Sequence, residues 1–420
     1  MNKQTWIHAA FSLATSSIEV LLLSSSFVSC GTTPSNNGNG THSDADSSTV
    51  SGDASSEGAT GGDGSADSPV PAPGLDASQK SDGAPAIFDG ATDGASGQLD
   101  PGVLAIMRRV ADWQLMQPGI NAIDWIHGAM WTGIFATYQV TQDVKYLNAT
   151  RTWGQTNNWG LTGGVTTNAD NQCAAQTYFD LYLLDPTNMA LVMGARPSFD
   201  AMVTSGNAGW TWADALFMSP PGLTRLGAIA NDPRYFQLLH TNWWNAYAAM
   251  FSVANGLIYR DPPAGGPASG NGIFWARGNG WVIAATARVL EYLPIADTKR
   301  PEYVSMLKTM AAALINWQGV DGLWRSDLTH PTAIPNPETS GTGFFTFAMA
   351  WGINNAILDR ATYLPVVRAG WQGLVSNVDA NGRLGYVQGV GAGPAAATPT
   401  SNAPYGVGAF LLAGSEVAKL

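Results

Sequence analysis

Along residues 98–420, segments crowded with Ala, Gly and aromatic side chains alternate with segments that carry an ordinary amphipathic stripe. No other feature narrows the fold as much. The first stripe is Val103, Leu104, Ile106, Met107, Val110, Trp113 and Leu115, apolar at helical spacing. Further amphipathic segments cover residues 145–153, 191–203, 235–251, 303–317 and 363–375. The small-residue and aromatic segments centre near Trp131, Gln176, Leu216, Ile283, Phe345 and Val407. That makes about twelve helices in six pairs, repeating every 40–65 residues or so. Small residues let helices approach closely, so the Ala/Gly/Trp segments predict an inner ring and the more polar partners an outer one. Strand-like runs such as Leu257-Ile258-Tyr259-Arg260 are short and confined to connections. The expected architecture is all-α, an (α/α)6 barrel of six helical hairpins. An open helical solenoid is the alternative, but irregular repeats with long Gly-rich loops favour closure. Loops gathered at one end of such a ring build a concave site.

The N-terminal part has a different composition. Residues 31–97 are almost wholly Ser, Gly, Asp, Ala, Thr, Asn and Pro. Such a stretch has too little apolar surface to offset its ordering entropy and reads as a disordered tether. It holds ten acids against Lys80 alone, about −9 of the overall −11, whereas residues 98–420 carry 20 acids and 18 Lys and Arg. A nearly neutral folded part argues against a nucleic-acid partner, which needs a basic face. Residues 1–30 read as an export signal: Lys3, an uneven apolar region, then Val28-Ser29-Cys30. This ending resembles a bacterial lipoprotein signal, in which the Cys is lipidated and anchors the chain to a membrane facing the periplasm or the cell surface. Glu19 and Phe27 depart from that pattern, and an ordinary cleaved signal or a misassigned start is the alternative. With Cys30 lipidated, Cys173 has no disulfide partner, and two Cys with five scattered His predict no structural zinc.

Asp214 stands out in the folded part. It lies in Trp210-Thr211-Trp212-Ala213-Asp214, ahead of Ala215-Leu216-Phe217-Met218. Burial disfavours the charged form of an acid, and a carboxyl held partly protonated suits a general acid. The competing reading is a helix N-cap. Asp170, in Asn168-Ala169-Asp170-Asn171-Gln172, is most simply an N-cap too. At a barrel mouth, however, it could meet Asp214, giving two carboxylates in unlike environments. Trp275-Ala276-Arg277-Gly278-Asn279-Gly280-Trp281 opens the fourth inner helix. Arg277 offers a planar fork of donors for a carboxylate, or for a backbone carbonyl. Asn279 offers an amide for hydroxyls, and Trp275 and Trp281 offer stacking surface. Arg260 with Asp261, and Glu338 before Thr339, are weaker candidates, better explained by a local ion pair and a loop cap. His127 reads as a hydrogen-bonded core histidine or a lining residue.

Residues 168–182, 212–218 and 274–281 together resemble glycoside hydrolase family 105, the unsaturated rhamnogalacturonyl hydrolases, similar to the unsaturated glucuronyl hydrolases of family 88. The resemblance covers essentially all of residues 98–420. It implies an (α/α)6 barrel, no metal or organic cofactor, and removal of a 4,5-unsaturated uronic acid from oligosaccharides left by lyases. It implies Asp214 as proton donor and base, Asp170 as assisting carboxylate, and Arg277, Asn279 and Trp281 in the sugar site with Arg260 beside it. Trp275, Trp212 and His127 are further substrate-binding candidates from their own residue types and positions. Asn168, Ala175 and Tyr259-Arg260-Asp261 depart from common family patterns and bear on the substrate more than the reaction. Rhamnogalacturonan or pectin fragments lead as substrate, and other lyase products follow. A conventional glycosidase or an epimerase on the same barrel, and a tethered protein that only binds glycans, are the remaining readings. Oligomeric state has no signature here.

Overall fold

The computed structural model describes residues 98–270 and 272–420. The signal segment, Cys30 and the tether lie outside them. Helices α1 (Pro101–Leu115), α2 (Trp125–Thr141) and α3 (Val144–Thr156) come first. They are followed by the single turn α4 (Ala169–Gln172), α5 (Ala175–Leu184), the turn α6 (Ala190–Met193) and α7 (Arg196–Ser205). The turn α8 (Ala215–Met218) leads into α9 (Pro220–Ala230) and α10 (Pro233–Met250). A two-residue antiparallel hairpin, β1 (Phe251–Ser252) with β2 (Leu257–Ile258), precedes α11 (Ala276–Leu290). The chain ends with α12 (Arg300–Ile315), α13 (Thr339–Asn354), α14 (Arg360–Ser376) and α15 (Pro404–Val417). Among the described residues no helix is long and apolar enough to cross a membrane.

The ring closes. Helices α2, α5, α9, α11, α13 and α15 each pack on the next, and α15 returns to α2. Helices α3, α10, α12 and α14 back their sequence neighbours α2, α9, α11 and α13, while α1 backs α15. The Phe179 and Phe199 rings, 5.7 Å apart, join α5 to α7. The small residues do what their positions predicted. A Cβ on Gly133 would lie 2.5 Å from the Gly408 carbonyl oxygen, and one on Gly408 would lie 2.4 Å from that of Ala129. The α2–α15 seam therefore has no room for a methyl group. The Asp100 N–H donates to the Ala418 carbonyl at 2.9 Å, fastening the start of α1 to the end of α15.

Two inner helices are interrupted, a detail the periodicity did not foretell. The third, expected around Leu216, is one turn followed by the longer α9, which restarts at Pro220 because proline has no N–H to continue the ladder. The second breaks at Cys173-Ala174 between α4 and α5. Each break sets a short turn at the mouth of the ring, and α4 packs on α8.

Candidate active site

The aspartates at helix starts divide into two groups, those that cap a helix and those that do not. Asp100, Asp124, Asp143, Asp232 and Asp359 cap α1, α2, α3, α10 and α14 through side-chain oxygens. Asp214 occupies the cap position of α8 without a side-chain capping bond. Asp170 lies inside the first turn of α4, whose cap is Asn168: its side chain accepts from the Asp170 N–H at 2.9 Å. The capping readings of both acids therefore give way, because Asn168 stands two residues ahead of Asp170 and Asp214 turns its carboxyl away from its own helix. Both carboxyls are left for other work.

Asp214 is 9% exposed and its Oδ2 is buried without a hydrogen-bond partner. Burial pushes its pKa up to about 6, and the charge of Asp170 adds to the rise. Arg260 and Arg277 pull the other way. Asp170 is also raised by burial, and Arg260 opposes this. The nearest cation is Arg260, whose Nε stands 3.6 Å from Asp214 Oδ2. Arg260 Nη1 donates to Asp261 at 2.7 and 3.0 Å, the local ion pair expected from the sequence. The backbone joins the two loops, with the Ala213 N–H on the Arg260 carbonyl at 2.8 Å.

Arg277 and Asn279 are placed differently from the expectation of free sugar-binding groups. Arg277 is almost wholly buried. Its Nη1 and Nη2 donate to the carbonyls of Gln388 and Gly389 at 2.8 and 2.9 Å, and its guanidinium lies over the rings of Trp275 and Tyr405. The carbonyl reading of this arginine is the one its geometry supports. Its charge still reaches Asp214, and its Nε has no partner. Asn279 is fully buried and spent inside the protein: Oδ1 accepts from Ile258 N–H, and Nδ2 donates to the carbonyls of Ile258 and Trp275. Its amide clamps β2, two residues before Arg260, and so positions that arginine rather than offering a bond to a hydroxyl.

Trp281 is also fully buried. It packs on Phe217, Phe344, Trp125 and Tyr405, behind the mouth rather than facing it. Trp275 donates its Nε1 proton to Gln388 Oε1 at 2.9 Å. The rings that keep some exposure are Trp212 and Trp125, the latter stacked on Tyr405 with centroids 5.4 Å apart. His127 is half-buried, its Nδ1 2.8 Å from the Asp124 carboxylate. Glu338 caps α13 through the N–H groups of Ser340 and Gly341, as the loop-cap reading expected.

Gln388 has no counterpart in the sequence reading. It accepts from Arg277, Trp275, Ser326 and Tyr405 and donates to the Gly393 carbonyl, pinning the Gly-rich segment after α14 to the mouth. Nothing local in the sequence signals it, since its partners lie 50 or more residues away except Gly393 and Tyr405. Deeper in the ring, Asp180, Arg225, Arg288 and Glu291 form a buried ion network joining α5, α9 and α11. Tyr292 donates to Asp180 Oδ1 at 3.0 Å. Gln176 links this network to the site: its Oε1 accepts from Arg288 Nε and its Nε2 donates to the Phe217 carbonyl. Among the described residues no group of three or more His, Cys, Asp or Glu is arranged to hold a metal ion.

The site can thus present a carboxyl that is part-protonated near neutral pH, a second carboxyl beside it, and exposed aromatic surface at the rim. Comparison with known proteins agrees with such a chemistry. The family model described as Glycosyl Hydrolase Family 88 matches residues 103–420. An "Unsaturated 3S-rhamnoglycuronyl hydrolase" of Formosa agariphila is 33% identical over 341 residues, 75% of this chain and 90% of the relative. A solved "Glycosyl hydrolase family 88 from Bacteroides vulgatus" superposes with a TM-score of 0.70 at 32% identity, covering 76% of this chain and 99% of that one. A solved chain described as "Polysaccharide Lyase BACCELL_00875" gives the same TM-score at 34% identity, covering 76% and 96%.

Proposed function

Since the chain belongs to Glycosyl Hydrolase Family 88 and is a glycoside hydrolase, we propose that it removes a 4,5-unsaturated uronyl residue from an oligosaccharide by hydrating its vinyl ether. The observation that carries this is Asp214: buried, free of capping, and with a pKa near 6 beside a second carboxyl. Asp214 in its acid form gives its proton to C4 of the C4=C5 bond, which leaves oxocarbenium character at C5. The resulting carboxylate takes a proton from water as that water's oxygen bonds to C5. The hemiketal then opens, the glycosidic bond is lost, and the rest of the oligosaccharide departs with the proton. Asp170 raises the proton affinity of Asp214 and steadies the developing positive charge. Trp125 and Trp212 offer ring faces to the sugar.

An unsaturated uronide has lost the C4 stereocentre that separates glucuronate from galacturonate, so selectivity has to come from the next sugar along. The resemblance and the name of the Formosa relative both put rhamnose there, and a rhamnose-linked unsaturated uronide is our choice of substrate; rhamnogalacturonan fragments of pectin are one source. The ultraviolet absorbance of the conjugated double bond tests the reaction. Hydrolysis of unsaturated rhamnose-linked disaccharide lowers it, and Asp214→Asn abolishes the fall. A rise in absorbance with saturated polymer would instead mark a lyase and overturn the proposal. We also place the protein outside the cytoplasm on a lipid anchor at Cys30, supported by Val28-Ser29-Cys30. Incorporation of labelled fatty acid that Cys30→Ala does not diminish would refute that anchor.

A further inference from the structure

Two buried polar atoms face each other in the site without bonding. Asp214 Oδ2 and Arg260 Nε are 3.6 Å apart, and neither has a hydrogen-bond partner. A guanidinium and a carboxylate normally close to about 2.7–2.9 Å, and the charge-assisted bond is among the stronger ones. What holds this pair apart is at the other end of the same guanidinium. Nη1 of Arg260 is 2.7 and 3.0 Å from the two oxygens of Asp261, and a rigid planar fork anchored at one corner fixes its remaining corners. Backbone restraint adds to this, through the Asn279 clamp on Ile258 and the bond from Ala213 to the Arg260 carbonyl.

We propose that Asp261 is a positioning residue for the acid: by holding Arg260 through Nη1 it keeps Nε short of bonding distance from Asp214, and so keeps Asp214 able to carry the proton it must donate. This rests on the reading of Asp214 as the donor. The charged and titratable groups around Asp214 are Asp170 on α4, Arg260 and Asp261 after β2, Arg277 on α11 and Tyr405 on α15. Arg277 is committed to two carbonyls and cannot respond, so Arg260 is the adjustable cation. Removing the charge of Asp261 frees the guanidinium to close on Asp214 and stabilise its carboxylate. Removing Arg260 does the reverse.

The test uses the full chain labelled with carboxyl-13C aspartate, the Asp214 resonance being assigned by its loss in Asp214→Asn. The expected result is a titration midpoint lower in Asp261→Asn by about 0.5–1 pH unit, a three- to tenfold change in the proton equilibrium. Asp261→Glu keeps the wild-type midpoint and Arg260→Gln raises it. The falling limb of kcat/KM against pH on unsaturated disaccharide moves in the same directions. An unmoved or raised midpoint in Asp261→Asn overturns the proposal. So does the same shift in Asp261→Glu, which would mean loop disruption rather than charge. A wild-type protein that titrates as expected yet turns over no unsaturated uronide overturns the functional reading instead.

Discussion

Asp214→Asn should gain resistance to urea relative to the wild type on going from pH 4 to pH 8. Burial raises the Asp214 pKa from an ordinary 3.8 to about 6 in the folded protein. Above 3.8 the unfolded chain releases that proton while the folded one keeps it, so folding becomes less favourable as pH rises, until both forms are ionised above 6. At 1.36 kcal/mol per pH unit the full displacement is about 3 kcal/mol, of which roughly 2–3 kcal/mol develops between pH 4 and pH 8. Asparagine does not titrate and escapes this penalty. Whatever fixed cost the amide incurs beside Arg260 is the same at both pH values and cancels in the comparison. Urea unfolding at the two pH values should therefore show the stability difference between mutant and wild type shifting towards the mutant by that amount, about 1 M in midpoint at a slope of 2–3 kcal/mol/M. A difference that stays constant with pH would refute the claim that the fold holds this acid against its ordinary ionisation.

The pH–rate profile follows from the same value. Because the acid form of Asp214 is the reactant, kcat/KM should be flat below pH 6 and fall about tenfold per pH unit well above it, as steady-state rates from pH 5 to 8 would show. Asn279→Ala removes two bonds to Ile258 and one to Trp275, all buried. It should cost about 2–4 kcal/mol in urea unfolding and lower kcat by loosening Arg260, without the loss of a sugar contact that a KM change alone would reveal. Gly408→Ala puts a methyl group 2.4 Å from the Ala129 carbonyl oxygen and forces the α2–α15 seam apart. A fall in stability above 3 kcal/mol or so is expected, read as a lowered thermal midpoint by circular dichroism.

The barrel was legible because the chain writes helix depth into side-chain size: Gly133, Gly343 and Gly408 are spaced where inner helices touch, and the outer helices keep ordinary stripes. Asp214 was legible from its tryptophan and Leu-Phe-Met surroundings, which are local. Asp170 was harder, because capping depends on which of two nearby side chains turns back, and Asn168, two residues ahead, wins that competition. Arg277 and Asn279 offered the donors that a ligand site needs. Their actual partners, the Gln388 and Gly389 carbonyls and Ile258, come from distant parts of the chain that only the closed ring brings near. For the same reason Gln388 was invisible: it is a lone polar residue in a Gly-rich stretch until the mouth assembles around it.

The seam between α2 and α15 also governs when the ring can close. The glycine face of α2 fits nothing until α15 arrives, some 260 residues later. Until α15 docks there is an interval in which the seam stays open, whether the chain is leaving a ribosome or crossing a membrane. Throughout it, a partial ring of five inner helices has two unsealed edges rich in Ala, Gly and aromatic surface. Each edge is complementary to the other and, equally, to the matching edge of a second unfinished chain. The open seam, rather than any weakness of the finished barrel, is where association competes with folding, and chains cut short before Pro404 should associate with one another instead of remaining soluble monomers.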